Sequence, residues 1–181
     1  PWVVAATLVG LACAWAYSAP PLRLKASGWA GPGVVAFSYE GLSWFTGAAV
    51  MAAALPEAPV LAVLLLYSLG AHGIMTLNDF KAVEGDRRTG VRSLPVTLGV
   101  APAARLACVV MALPQVVAGL LWHWGMTLPA LAVAALLAAQ CALMPRLLAD
   151  PAGRAPWYGA TGVSLYVLGM MAAALGLGGY W

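Results

Sequence analysis

Six apolar stretches, each near the length needed to cross a bilayer and parted only by short polar interruptions, dominate this chain. They run over about 2–17, 31–55, 59–77, 102–122, 128–148 and 158–180. A helix needs about 20 mainly apolar residues to cross a hydrocarbon core roughly 30 Å thick. Composition sharpens the point: 63% of the residues are hydrophobic and 8% are charged, against about 25% charged in a soluble domain. Ala, Leu and Gly fill the stretches without the alternation of a transmembrane barrel, so the backbone has to close its hydrogen bonds within helices. The expectation is an all-α, polytopic transmembrane helical bundle, one domain over 1–181 without an internal repeat. Pro20 and Pro21 stop the first span, and the short link through Pro56 and Glu57 makes a hairpin of the second and third. Trp122, Trp124, Trp157, Tyr180 and Trp181 fall near span ends, where amphipathic rings favour the headgroup level.

The net charge of +3 does not point to nucleic acid, because the basic residues form no single run and no nucleic-acid motif accompanies them. They sort by loop instead. Arg23 and Lys25 follow the first span; Lys81, Arg87, Arg88, Arg92 and Arg105 follow the third; Arg146 and Arg154 follow the fifth. The second and fourth links carry none. Retention of Lys and Arg on the cytoplasmic side then places those three loops in the cytoplasm. Cys13, Cys108 and Cys141 lie far apart in apolar stretches, with no metal or redox spacing, and are expected to be small buried hydrophobes. Pro1 has neither an initiator Met nor a basic flank before it, so the first stretch reads as an internal helix of a longer protein rather than a signal peptide.

Chemistry concentrates at the end of the third span. Asn78-Asp79-Phe80-Lys81-Ala82-Val83-Glu84-Gly85-Asp86-Arg87-Arg88 holds three of the six acidic residues. If the helix continues, Asp79 and Asp86 are about two turns apart on one face. Two carboxylates suit Mg2+, which shares its shell with water and phosphate oxygens, and Lys81, Arg87 and Arg88 suit the remaining phosphate charge. The same residues also read as a solvated loop anchoring a helix end, and Gly85 and Gly90 favour a helix followed by loop.

The run LNDFKAVEGDRRTGVRSLPVTLGV closely resembles the second acidic motif of the chlorophyll and bacteriochlorophyll synthases, within the UbiA-type membrane prenyltransferases. AYSAPPLRLKASGWAG, from Ala16 to Gly31, is similar to the YSxPPxRLK segment of the same enzymes, and YEGLSWFTGA leans toward the bacteriochlorophyll branch. The resemblance implies a cavity within about nine helices, of which these six spans would be the last six, and two acidic motifs that bind an isoprenoid diphosphate through Mg2+. The first motif, of the NDxxDxxxD type, has no counterpart in these residues, so residues 1–181 alone are not expected to be active. The resemblance further implies Asp79, Asp86 and Glu84 at the metal, and Arg23, Lys25, Lys81, Arg87 and Asn78 at the diphosphate. Tyr17 would border the allylic carbon or the diphosphate, although a Tyr at an interface is otherwise an aromatic anchor.

The implied reaction esterifies the propionate of a chlorophyllide or bacteriochlorophyllide with geranylgeranyl or phytyl diphosphate. It belongs in a bacterial inner, intracytoplasmic photosynthetic membrane with the acidic motif at the cytoplasmic face, near pigment-biosynthesis or photosystem-assembly proteins. Other readings of the same spans are a prenyltransferase acting on a quinone precursor, a transporter, or a non-catalytic membrane scaffold. An acidic and basic cluster confined to one face speaks against the transporter. Glu40, inside a span, calls for a purpose, either as an interhelical hydrogen bond or in placing the acceptor. His72 stands seven residues before Asp79, as a packing residue or as an axial ligand to a chlorin magnesium. His123 is expected at the interface, and Asp150 to Arg154 as a turn.

Overall fold

The computed structural model describes residues 1–181, and its regular structure is helical throughout. Four helices are long and apolar enough to cross a membrane: Ala58–Asp79, Val100–His123, Thr127–Ala149 and Pro151–Leu177. Together with α1 (Trp2–Ser18) and the run α2 (Ala30–Ala36) to α3 (Ser43–Ala52), they give the six expected spans. The protein is an integral membrane helical bundle. Between α2 and α3 the backbone widens into a π-helical turn, Phe37–Leu42, which carries Glu40.

The helix α4 (Ala58–Asp79) is the hub of the bundle, packing on α2, on the π-helical turn and on α7 (Val100–Ala112). Lipid tails are as apolar as the helices, so packing and interhelical hydrogen bonds have to hold them together, and small residues permit the closest approach. At the α4–α7 seam Ala103, Ala104 and Ala107 are buried. A Cβ on Gly73 would come within 2.6 Å of the Ala107 carbonyl oxygen and 2.8 Å of Met111 Cγ. The seam therefore requires a glycine.

Polar side chains that the sequence reading passed over tie the far half of the bundle together. Tyr67 Oη donates to Gln115 Oε1 at 3.3 Å, Gln115 Nε2 to Gln140 Oε1 at 3.3 Å, and Tyr166 Oη to the Tyr67 carbonyl at 2.6 Å. The signal was present as two lone glutamines inside apolar spans, since amides in hydrocarbon seek partners on other helices.

Of the geometries left open for the acidic segment, an unbroken helix is not the one formed: α4 ends at Asp79, residues 80–82 turn, and α5 (Val83–Thr89) starts afresh. Phe80 is drawn into the core at 4% exposure, while Ala82 leaves helical geometry at φ −108°, ψ 0°. The last span begins at Pro151 rather than near Tyr158, because the Asp150 carboxylate caps it by accepting from the Gly153 amide at 3.1 Å. Asp150 to Arg154 is thus a helix start instead of a plain turn, and α10 (Pro151–Ala160) and α11 (Gly162–Leu177) follow with a break at Thr161. Of the cysteines only Cys108 is buried; Cys13 is half-buried and Cys141 is exposed. Spans surrounded by lipid carry apolar residues on their outer faces too, so an apolar context does not bury them.

Candidate active site

The loop after α1 and the segment after α4 meet at one end of the bundle, and a pairing of extended backbone holds them there. Ser27 and Arg92 form a parallel bridge, in which the Gly28 amide donates to the Arg92 carbonyl at 2.8 Å and the Arg92 amide to the Ala26 carbonyl at 2.9 Å. The approach is close enough to require glycine at position 28, where a Cβ would meet the backbone of Arg92, Ser93 and Leu94. Arg23 adopts left-handed backbone angles, φ 38° and ψ 52°, just before the short 3-10 turn Leu24–Ala26.

These pieces enclose a cavity of about 380 Å³ lined by Tyr17, Arg23, Lys25, Asn78, Asp79 and Asp86 among others. The turn at 80–82 breaks the helix yet still delivers both carboxylates to one wall, near enough for their charges to act on one another. Arg23 and Lys25 face the same space. Even so, the chain's one ion pair joins Arg88 to Glu84 at 3.1 Å, so neither cavity cation is paired with a cavity carboxylate. Opposite charges that share a cavity without touching leave room for a guest with charges of both kinds.

A second cavity, of about 420 Å³, adjoins the first, with Tyr17 and Val35 common to both walls. Its lining of Gly10, Cys13, Ala14 and Val34 is largely apolar, between α1 and α2. Tyr17 therefore stands where the charged space gives way to the apolar one.

The remaining expected residues lie elsewhere. Glu84 is exposed on α5 and committed to Arg88, outside the cavity wall. Arg87 is exposed and also outside it. Lys81 lines a separate cavity of about 280 Å³, together with Ala155, Pro156 and Asn78, and Asn78 contributes to both spaces. That arrangement puts the third basic loop at the same end as the other two. Glu40 sits half-buried in the π-helical turn, away from the charged cavity. His72 Nε2 lies 3.1 Å from the Trp29 carbonyl oxygen and its ring stacks 5.7 Å from the Trp29 indole. One ring nitrogen thereby joins α4 to the start of α2. His123 is exposed at the end of α8 (Val117–His123), as expected for an interface.

As a metal site the donor set is specific in one respect. No group of three His, Cys, Asp or Glu residues converges within residues 1–181. Two carboxylates with the Asn78 amide beside them suit a hard cation that keeps water and phosphate oxygens in its shell, which is the habit of Mg2+. The residues present fit such an ion when it is shared with a phosphorylated ligand.

Because Glu84 pairs only with Arg88 at the surface, Glu84→Gln is expected to change stability by less than about 0.5 kcal/mol. Mg2+ affinity of the complete protein should stay within about twofold of the parent. Calorimetric titration with Mg2+ checks this, and a large loss of affinity would return Glu84 to the metal.

Known proteins resemble this arrangement from end to end. A bacteriochlorophyll synthase 33 kDa chain of Cereibacter sphaeroides is 60% identical over 180 residues, covering 99% of this chain and 60% of that protein. A chloroplastic chlorophyll synthase of Arabidopsis thaliana is 38% identical over 177 residues, covering 97% of this chain and 45% of that one. The chain thus spans less than two thirds of the length of either. A solved structure described as a digeranylgeranylglyceryl phosphate synthase in membranes shares the fold, with a TM-score of 0.78 at 18% identity, covering 97% of this chain and 61% of that chain. The sequence profile of the UbiA prenyltransferase family matches residues 1–165 and takes in every residue lining the charged cavity, from Tyr17 to Ser93; the chain belongs to that family.

Proposed function

We propose that the protein transfers an isoprenoid group from an allylic isoprenoid diphosphate to the propionate of a bacteriochlorophyllide or chlorophyllide, forming the ester and releasing pyrophosphate. The observation that carries this reading is the charged cavity with unpaired cations and carboxylates, which opens past Tyr17 into an apolar space. That junction suits a molecule with a diphosphate at one end and a hydrocarbon tail at the other. The greater likeness to the bacteriochlorophyll synthase, 60% against 38% identity, favours the bacteriochlorophyll branch.

In this reading Asp79 and Asp86 hold Mg2+ against the diphosphate, with Asn78 in support, and Arg23 and Lys25 bind the oxygens left free. The ion, when bound, withdraws electron density from the departing diphosphate. Arg23 and Lys25 favour the negative charge that builds on the leaving group as the allylic C–O bond breaks and its electron pair leaves with the diphosphate. The acceptor propionate is already ionised at neutral pH, so its oxygen forms the new bond to the allylic carbon without a proton being removed. No serine nucleophile or general base is required, and apolar walls keep water from the electron-poor carbon. Tyr17 borders that carbon. The basic loops, all at the cavity end, support a cytoplasmic face for it, and the likeness to a bacterial bacteriochlorophyll synthase supports a bacterial inner membrane. Because the cavity supplies only one acidic motif, residues 1–181 by themselves are not expected to turn over.

The test is an assay of the protein from its complete reading frame with each chlorophyllide and each of geranylgeranyl and phytyl diphosphate. Ester and pyrophosphate should form one for one and only with a divalent cation. Binding of pigment without release of pyrophosphate would make the protein a scaffold instead, and prenylation of a quinone precursor alone would change the acceptor.

A further inference from the structure

The bridge between the two loops has Ser27 on one side and Arg92, followed by Ser93, on the other, and the two serine hydroxyls behave differently. Ser27 Oγ accepts from the Trp29 amide at 3.3 Å and the Ala30 amide at 3.1 Å, helping to start α2. Ser93 stands in the corresponding place before α6 (Leu94–Leu98), with Pro95 in the first turn. A serine there ordinarily caps the helix by accepting an amide hydrogen bond through its side chain. Ser93 does not. The Val96 and Thr97 amides donate to its carbonyl, at 3.1 and 2.9 Å, and the hydroxyl has no partner although the residue is only 3% exposed.

A buried hydroxyl without a partner is unfavourable, and most such groups in proteins are satisfied. Ser93 is among the residues that line the charged cavity with Arg23, Lys25, Asp79 and Asp86. Its position is imposed from outside: the Gly28 amide holds Arg92 next to it, and the Gly28 backbone packs on the Ser93 carbonyl carbon. Any ligand of this cavity with acceptor oxygens would meet two cations and, beside the Tyr17, Ser27 and Asn78 donors of the wall, a serine held in place by the bridge. A diphosphate has only acceptors to offer. The carboxylates repel it unless a cation intervenes, whereas a hydroxyl can donate to it directly.

We propose that Ser93 Oγ donates a hydrogen bond to a non-bridging oxygen of the substrate diphosphate and so fixes the orientation of the leaving group. This inference rests on the reading of the cavity as a diphosphate site, and it adds a donor that lies outside the acidic cluster and the basic loop.

The experiment uses the complete protein with Ser93→Ala, Ser93→Thr and Arg23→Ala, and inorganic pyrophosphate with Mg2+ as the probe. Thermal stabilisation by pyrophosphate gives an affinity independent of turnover. Ser93→Ala is expected to weaken pyrophosphate binding, and to raise KM for the isoprenoid diphosphate, by about tenfold, the scale of a hydrogen bond to a charged group. KM for the acceptor should not change. Ser93→Thr keeps the hydroxyl and should restore affinity to within about threefold. If Ser93→Ala fails to fold, Ser93→Cys, similar in volume but a weak donor, should show the same loss. A lower Tm with unchanged pyrophosphate affinity in these variants would overturn the proposal and leave Ser93 a structural residue. Loss in Arg23→Ala alone would refute only the role of Ser93, while no loss in any variant would refute the diphosphate reading as well.

Discussion

Asp79→Asn in the complete protein is expected to reduce ester formation by about a thousandfold, equivalent to roughly 4 kcal/mol of transition-state stabilisation. Asn keeps the size and polarity of Asp but removes the charge that faces the cation. Asp79 is the last residue of α4, and the chain turns immediately after it, so no neighbouring acid can be swung into its place by a small shift. Folding should survive, because the carboxylate makes no ion pair that holds the bundle together. The variant should also lose the Mg2+ dependence of pyrophosphate binding. Asp86→Asn should act in the same direction, and the double variant should be little worse than either single one, as follows if the two carboxylates serve one ion. Normal turnover in Asp79→Asn with an unchanged melting temperature would remove the residue from the mechanism.

Gly28→Ala has the second large expected effect, and it acts through backbone alone. A Cβ at position 28 would lie 2.7 Å from both the Arg92 carbonyl oxygen and the Ser93 carbonyl carbon, and closer still to the Leu94 amide nitrogen. None of these is the end of a flexible side chain, so the loops have to part. Overpacking of this kind costs about 1–3 kcal/mol. The greater loss should be in function, because separating the bridge carries Arg23 and Lys25 away from Asp79 and Asp86; a rise in KM for the isoprenoid diphosphate of about tenfold or more follows if two charge-assisted contacts weaken. Gly85→Ala is the matched control. It lies within α5 with nothing near its would-be Cβ, and should leave activity alone while making the helix more stable by up to about 1 kcal/mol. Melting curves and donor KM for the two variants decide the matter, and equal behaviour would show that the bridge does not shape the cavity.

The spans were legible because in lipid the length of an apolar run is itself a structural requirement, and all six stretches became helical, the last of them starting earlier than the sequence placed it. What escaped the reading depends on contacts between distant residues. Phe80-Lys81-Ala82 contains nothing that forbids a helix; the chain turns there as the Phe80 ring enters the core. The site was legible in its residue types, and the structure brings Tyr17, Arg23, Lys25, Asn78, Asp79 and Asp86 to one cavity. Glu84, Arg87 and Lys81 belong to the same acidic and basic run but point elsewhere, because sequence proximity after a helix break says little about direction. Ser93 was missed because a serine before Leu-Pro reads as a helix cap, and only burial and the lack of a partner distinguish it. The pairing of Ser27 with Arg92 has no local signature at all.

That pairing also imposes an order on events during synthesis. The chain runs from position 27 to position 92 between the partners, roughly 65 residues that include two spans. At about 5–20 residues per second, several seconds pass between the emergence of the first strand of the bridge and that of the second. For that interval Arg23 and Lys25 are not yet held opposite Asp79 and Asp86, and anionic lipid headgroups at the membrane surface are available to them as counter-charges. The basic loop thus exchanges lipid headgroups for the cavity wall when Arg92 arrives.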